Sequence, residues 1–189
     1  LKERILVLDG AMGTMIQRYK LEEEDFRKGW FENHGKPLKG NNDLLSLTRP
    51  EIIKEIHAAY FAAGADIAET NTFSGTTIAQ ADYDLESAVY DINYQSAKIA
   101  REVADEFATT ERPRWVLGSL GPGTKLPTLG HTEYVKLKEA YHIASRGLVD
   151  SGVDALLIET TQDLLQAKAA INGAREAITN CERDIVLIA

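Results

Sequence analysis

Cysteine is all but missing from this sequence. Cys181 is the single thiol in 189 residues, so no disulfide can close within the chain, and that usage suits a reducing cytoplasm. Positive charge is also in short supply: 21 lysines and arginines against 29 acids give a net charge of -8 and a pI near 5.1. Such a balance argues against nucleic-acid or anionic-membrane partners, since either requires a basic face. No apolar run approaches the roughly 20 residues that a membrane span needs, and no signal peptide is visible. The glycines of Asp9 to Thr14 match neither the G-x-G-x-x-G nor the P-loop spacing, so no phosphate-binding signature follows the first apolar run. The four histidines, His34, His57, His131 and His142, have no metal-ligand spacing, and the helical patterns around His57 and His142 favour packing or solvation.

What is present is enough apolar residue, 44% of the chain, to bury the core of one domain. The organising stretch is Gly152 to Asp163, Gly-Val-Asp-Ala-Leu-Leu-Ile-Glu-Thr-Thr-Gln-Asp. Four apolar residues, Ala155 to Ile158, run into Glu159 and Thr160, which predicts a strand buried on both faces that delivers a carboxylate at its C-terminal end. Gly64 to Thr72 repeats the idea, with Asp66, a short apolar run and Glu69-Thr70. Strand side chains alternate with period two, so both glutamates keep the same phase relative to their aspartates.

Arg4 to Leu8 predicts a first strand closed by a glycine turn at Gly10 and Gly13. Tyr19 to Leu47 is polar and aperiodic, a functional lid or a series of short helical turns. Thr48-Arg49-Pro50-Glu51 has capping-box spacing ahead of a helix whose stripe is Ile52, Ile56 and Tyr60 and whose end is Gly64. A helix carrying Leu85, Val89, Ile92, Ile99 and Val103, a strand over Arg114 to Leu120, and a helix over Tyr134 to Val149 follow. The strand at Ala155, a helix over Asp163 to Ala177, and a last strand over Ile185 to Ala189 complete the pattern.

Five strands alternating with helices, each ending in glycine or polar residues, predict an α/β fold with a parallel sheet. A doubly wound sheet and a (β/α)8 TIM barrel share that pattern. Functional side chains on several strand ends at once (Asp9, Asn71, Ser119, Glu159) favour the barrel. Such a barrel takes about 250 residues. Residues 1–189 are therefore expected to form the N-terminal portion, about the first five strands of a partial barrel. An open arc leaves its first and fifth strands unpaired unless a longer polypeptide, another chain or a swapped copy covers them.

Asp9, Glu69 and Glu159 are the candidate acid/base or cation-binding groups, although a carboxylate at a strand end also serves to cap a helix or hold a turn. Paired carboxylates also suit a glycoside hydrolase, a weaker reading. Cys181, just before the last strand, is expected at the opposite end of the sheet from the chemistry. No side chain is assigned a catalytic role, and no metal site can be assembled from the sequence.

Five segments carry a resemblance: ILVLDGAMGT (5–14), PLKGNNDLLSLTRP (37–50), GADIAETNTF (64–73), GSLGP (118–122) and GVDALLIET (152–160). Together, in this order, they resemble the homocysteine S-methyltransferase family. The 37–50 segment and Asp25-Phe26-Arg27 are most similar to the N-terminal module of its cobalamin-dependent, multi-module members. The resemblance implies a (β/α)8 barrel that binds homocysteine beside a zinc ion and passes it a methyl group from methylcobalamin to give methionine. The cobalamin sits on a separate module and is recharged by 5-methyltetrahydrofolate from a folate-binding module of the same polypeptide. It implies that Asp9 and Glu159 receive the homocysteine ammonium group, and that backbone around Gly10 and Ser119, with Asn71 and Thr72, lines the amino-acid pocket. The family's cysteine zinc ligands have no counterpart here. They are expected beyond Ala189, and residues 1–189 alone are expected to be inactive. The alternatives are a methyltransferase using betaine or S-methylmethionine, and a non-catalytic half-barrel that works as an assembly piece.

Overall fold

The structure is a computed structural model and describes residues 4–189. Its elements in chain order are α1 (Met12–Gln17), α2 (Leu45–Thr48), α3 (Pro50–Ala63), β1 (Ile67–Glu69), α4 (Thr77–Gln80) and α5 (Val89–Phe107), then β2 (Trp115–Leu120), α6 (Tyr134–Asp150), β3 (Ala155–Ile158), α7 (Leu164–Thr179) and β4 (Val186–Ile188). All strand pairs are parallel and the sheet order is β1-β2-β3-β4. The order never reverses, so the sheet has no topological switch point of the doubly wound kind.

The expected first strand is reduced to a single parallel bridge between Leu8 and Ile67. Around it Val7 O accepts from the N–H groups of Asp66 (2.7 Å) and Ile67 (3.1 Å), and the N–H of Asp9 donates to Ile67 O at 2.9 Å. The N–H of Val7 goes to the Asp66 carboxylate at 3.0 Å, which ends the ladder. Asp154 clips β2 in the same manner: its N–H donates to Val116 O at 2.9 Å while its carboxylate accepts the N–H of Val116 at 2.7 Å. The Gly-x-Asp repeat thus has a structural meaning. Its aspartate fastens the start of one strand to its neighbour, and its glutamate emerges at the other end.

Helix α3 begins at Pro50, but the capping box does not form. Arg49 is the N-cap without a side-chain cap, Thr48 Oγ1 donates back to Leu44 O at 3.4 Å, and Glu51 pairs with Arg49 at 2.5 Å. The one-turn helix α2 immediately upstream already engages Thr48. Gly64 closes α3 in the left-handed region, as its position predicts. The 19–47 segment carries short helical turns, the 3-10 turns Glu23–Phe26 and Asn42–Leu44 and the start of α2.

Two apolar clusters hold the fold. Val116, Leu120, Leu156 and Ile158 meet Ala97, Val103, Tyr141, Leu148 and Ala170 between the sheet and α5 to α7. Phe26, Leu38, Leu44, Leu45, Ile53, Ile56 and Ile92 form a second core beneath the N-terminal turns. Because Val116, Leu120, Leu156 and Ile158 face the helices, alternation turns Leu117, Ser119, Leu157 and Glu159 to the other face. On that face Leu117 and Ser119 are buried and Leu157 and Glu159 partly so, whereas the sheet edges stay open, with Val7 54% and Val186 56% exposed.

Candidate functional site

The C-terminal ends of β1, β2 and β3 and the residues after the Leu8 bridge converge on one cavity of about 570 Å³. Asp9 enters it just after the Leu8 bridge, Glu69 from the last position of β1, Ser119 from β2 and Glu159 from the residue after β3. All six residues singled out in the sequence (Asp9, Gly10, Asn71, Thr72, Ser119 and Glu159) line this space together.

Their polar groups are not equally available. Ser119 Oγ donates to Glu159 Oε1 at 2.5 Å, while its N–H donates to Thr70 Oγ1 at 3.0 Å. Thr72 Oγ1 donates to Ser119 O at 2.8 Å, and the Asn71 amide donates to Asn42 O at 2.7 Å and to Ser46 Oγ at 3.3 Å. Asn71, Thr72 and Ser119 therefore frame the cavity by tying its walls to one another. Gly121, where β2 ends, is required by space: a Cβ there would lie 2.2 Å from Phe73 O, on the cavity wall. Thr160 holds a left-handed φ of +57°, uncommon for a β-branched residue, directly after Glu159.

Four carboxylates line the cavity, Asp9, Asp43, Glu69 and Glu159, and among the described residues the lining includes no Lys, Arg or His. Burial pushes Asp9 up to about 7, opposed by the Glu69 N–H that donates to its Oδ1 at 3.1 Å. Burial and the charge of Glu159 raise Glu69 to about 7. Burial likewise raises Asp43 to about 7, against the Ser74 N–H at 2.7 Å. Burial, with the mutual repulsion of Asp9, Glu69 and Glu159, thus favours the protonated forms near neutral pH, and a nearby cation would reverse that preference.

The sequence offered no sign that Asp43, Tyr83 and His57 lie at or beside the cavity. Asp43 and Tyr83 come to the cavity from the 3-10 turn at 42–44 and the segment after α4, where neither periodicity nor strand phase applies. His57 lies on the buried side of α3, with Nδ1 3.9 Å from Asp9 Oδ2.

For zinc the residues present do not fit. Among the described residues no group of three or more His, Cys, Asp or Glu is arranged to hold a metal, and Cys181 precedes β4, at the sheet end opposite the cavity.

Comparison with known proteins gives consistent results. The homocysteine S-methyltransferase family model matches residues 6–187. The methionine synthase of Mycobacterium tuberculosis (strain ATCC 25618 / H37Rv) is 48% identical over 189 residues, which is 100% of this chain and 15% of that protein. The methionine synthase of Mycobacterium leprae (strain TN) is 48% identical over 185 residues, 98% of this chain and 15% of that protein. The chain therefore spans under a sixth of the length of these relatives. Among solved structures, the oxidized form of the homocysteine methyltransferase MmuM from Escherichia coli superposes with a TM-score of 0.68 at 23% identity, covering 98% of this chain and 61% of that one. Its metallated form gives 0.69 at 21% identity, covering 100% and 64%. At these identities the likeness concerns the fold.

Proposed function

This chain belongs to the homocysteine S-methyltransferase family, and from that premise we propose that it is the homocysteine-binding N-terminal portion of a (β/α)8 barrel in a cobalamin-dependent methionine synthase. The full polypeptide would carry a methyl group from methylcobalamin, recharged by 5-methyltetrahydrofolate, to homocysteine, giving methionine in the cytoplasm. The observation that carries this reading is the cavity itself, lined by four carboxylates and, among the described residues, by no basic side chain. An amino-acid ammonium group is a cation that would draw them into their ionised forms.

In this reading Asp9 and Glu159 receive the ammonium group, with Glu69 adding negative potential from the end of β1. The backbone N–H groups around Gly10 receive the substrate carboxylate, and Asn71, Thr72 and Ser119 hold the walls. The zinc that makes the thiol a nucleophile in this family would take its ligands from polypeptide beyond Ala189, as would the cobalamin and folate modules. The sequential strand order and the apolar side chains exposed along both sheet edges, Val7 and Val186 among them, support further strands completing a barrel. Identity of 48% along the whole chain to methionine synthases, against 21–23% to MmuM, favours the cobalamin-dependent reading over a betaine or S-methylmethionine donor.

Titration calorimetry on the full polypeptide tests the assignment. Glu159→Gln is expected to weaken homocysteine binding by about 10- to 100-fold, the worth of one charge-assisted hydrogen bond, with zinc content unchanged. Equal affinity in mutant and parent removes Glu159 from the site. Residues 1–189 alone are expected neither to hold stoichiometric zinc nor to form methionine from methylcobalamin and homocysteine. Either result in the isolated chain would contradict the placement of the metal ligands.

A further inference from the structure

His57 is a buried titratable group for which the binding scheme above gives no role. It is 0% exposed, and neither ring nitrogen has a hydrogen-bond partner. Buried polar atoms are nearly always paired, so an orphaned imidazole on the buried side of α3 needs a reason. The nearest charged atom is Asp9 Oδ2, 3.9 Å from Nδ1, and the Asp9 side chain is itself only 3% exposed. The other oxygen of that carboxyl, Oδ1, is already committed to the Glu69 N–H. One turn further along α3, Tyr60 OH donates to Ala11 O at 3.3 Å, and its hydroxyl would lie 3.0 Å from a Cβ at Gly10. Helix α3 thus approaches the Asp9-Gly10-Ala11 corner at two successive points, with His57 behind Asp9 and Tyr60 behind Gly10.

We propose that His57 is a positioning residue for the amino-acid site: when the incoming ammonium group draws Asp9 into its ionised form, the His57 Nδ1–H donates to Asp9 Oδ2 and fixes that carboxylate toward the ligand. The inference rests on the homocysteine-site reading given above. Burial holds the imidazole well below its ordinary value, at about 4, so the ring is neutral and carries one N–H and one lone pair. A neutral donor is what this location calls for. A charged one would neutralise Asp9 and compete with the ammonium group for it. Closing the gap to a hydrogen bond takes a shift of roughly 1 Å, and afterwards only the Nε2 lone pair is left unpaired.

Two substitutions in the full polypeptide separate this role from packing. Asparagine can place its amide nitrogen near the position of Nδ1, whereas leucine fills similar space with no donor. His57→Leu is expected to raise the homocysteine dissociation constant about 10-fold, the loss of one hydrogen bond to a charged group, while melting no lower than the parent. His57→Asn is expected to stay within about 3-fold of parent affinity although it melts lower. Affinity would then follow the donor and stability would follow the packing. Nitrogen-15 spectra of the His57 ring are expected to move toward the Nδ1–H tautomer when homocysteine saturates the site. Parent affinity in His57→Leu, or equal losses in the two variants, overturns the proposal. If the parent itself takes up no homocysteine, the reading of the ligand falls. The His57 tautomer ratio in the ligand-free parent, followed as Asp9 ionises between about pH 6 and pH 9, then decides the contact, and an unchanged ratio overturns it.

Discussion

Ser119 Oγ donates to Glu159 Oε1 at 2.5 Å, joining β2 to the residue that follows β3. The bond fixes one oxygen of a carboxylate that, from the next residue on, is attached to a strained backbone at Thr160. Ser119→Ala removes this tether without removing the charge. The expected result is a 3- to 10-fold weaker affinity for homocysteine, about one neutral-donor hydrogen bond, and an unchanged melting temperature within about 2 °C. Calorimetry beside a thermal melt reads both.

Asp9 and Glu69 both titrate near 7 because burial disfavours their charged forms. An ammonium ligand needs them ionised. Homocysteine affinity is therefore expected to rise with pH, by up to about tenfold per unit below pH 7 if one proton leaves on binding, and to level off by about pH 8. Calorimetry in buffers of different ionisation enthalpy counts the proton released at pH 6.5. A pH-independent affinity with no proton release would contradict the electrostatic account.

Asp43 shows the same elevation with no ligand role assigned to it. Its folded value lies above the unfolded one, so between about pH 4 and pH 7 the folded state binds the extra proton and stability falls as pH rises. Asp43→Asn removes that titration, and the amide oxygen can still accept the Ser74 N–H. The variant is expected to be more stable than the parent at pH 8 by about 1 to 2 kcal/mol and nearly equal at pH 4.5. Urea melts at the two pH values distinguish this from a uniform shift.

Asp66, 1% exposed, accepts from Arg4 (2.8 Å), Arg112 (3.3 Å) and Arg114 (3.2 Å) and from the N–H of Val7. These partners, Arg4 foremost, hold its carboxyl well below the usual range. The stability it contributes is present above the unfolded value and is lost as pH falls through the folded one. Asp66→Asn leaves the buried Arg114 without its counter-charge and is expected to cost about 3 kcal/mol. Hydrogen exchange at Val7 and Asp9 should accelerate more than exchange within α6, because the first segment hangs on this carboxylate.

Much of this molecule could be read before any fold was known. The apolar run at 155–158 matches β3 residue for residue, and Tyr134 opens α6 as its periodicity requires. The phase argument also held for Glu69 and Glu159, since side chains at strand ends are oriented by a period-two backbone that sequence spacing records. The capping box at Thr48 failed because a preceding helical turn, itself set by tertiary packing of Leu44 and Leu45, had already claimed the hydroxyl. The first strand shrank to a bridge because Asp66 took up the N–H of Val7.

The sequence by itself determined the parallel alternation of strands and helices, the carboxylates at the strand ends and the family to which the chain belongs. Each of these is written in local spacing and residue type. Only the tertiary structure decided that Asp43 joins the cavity, that Asn71 and Thr72 spend their polar groups on its walls, and that His57 stands behind Asp9. These contacts link residues 29 to 48 positions apart in the chain, and such distances are set by how helices pack on the sheet rather than by any periodic pattern.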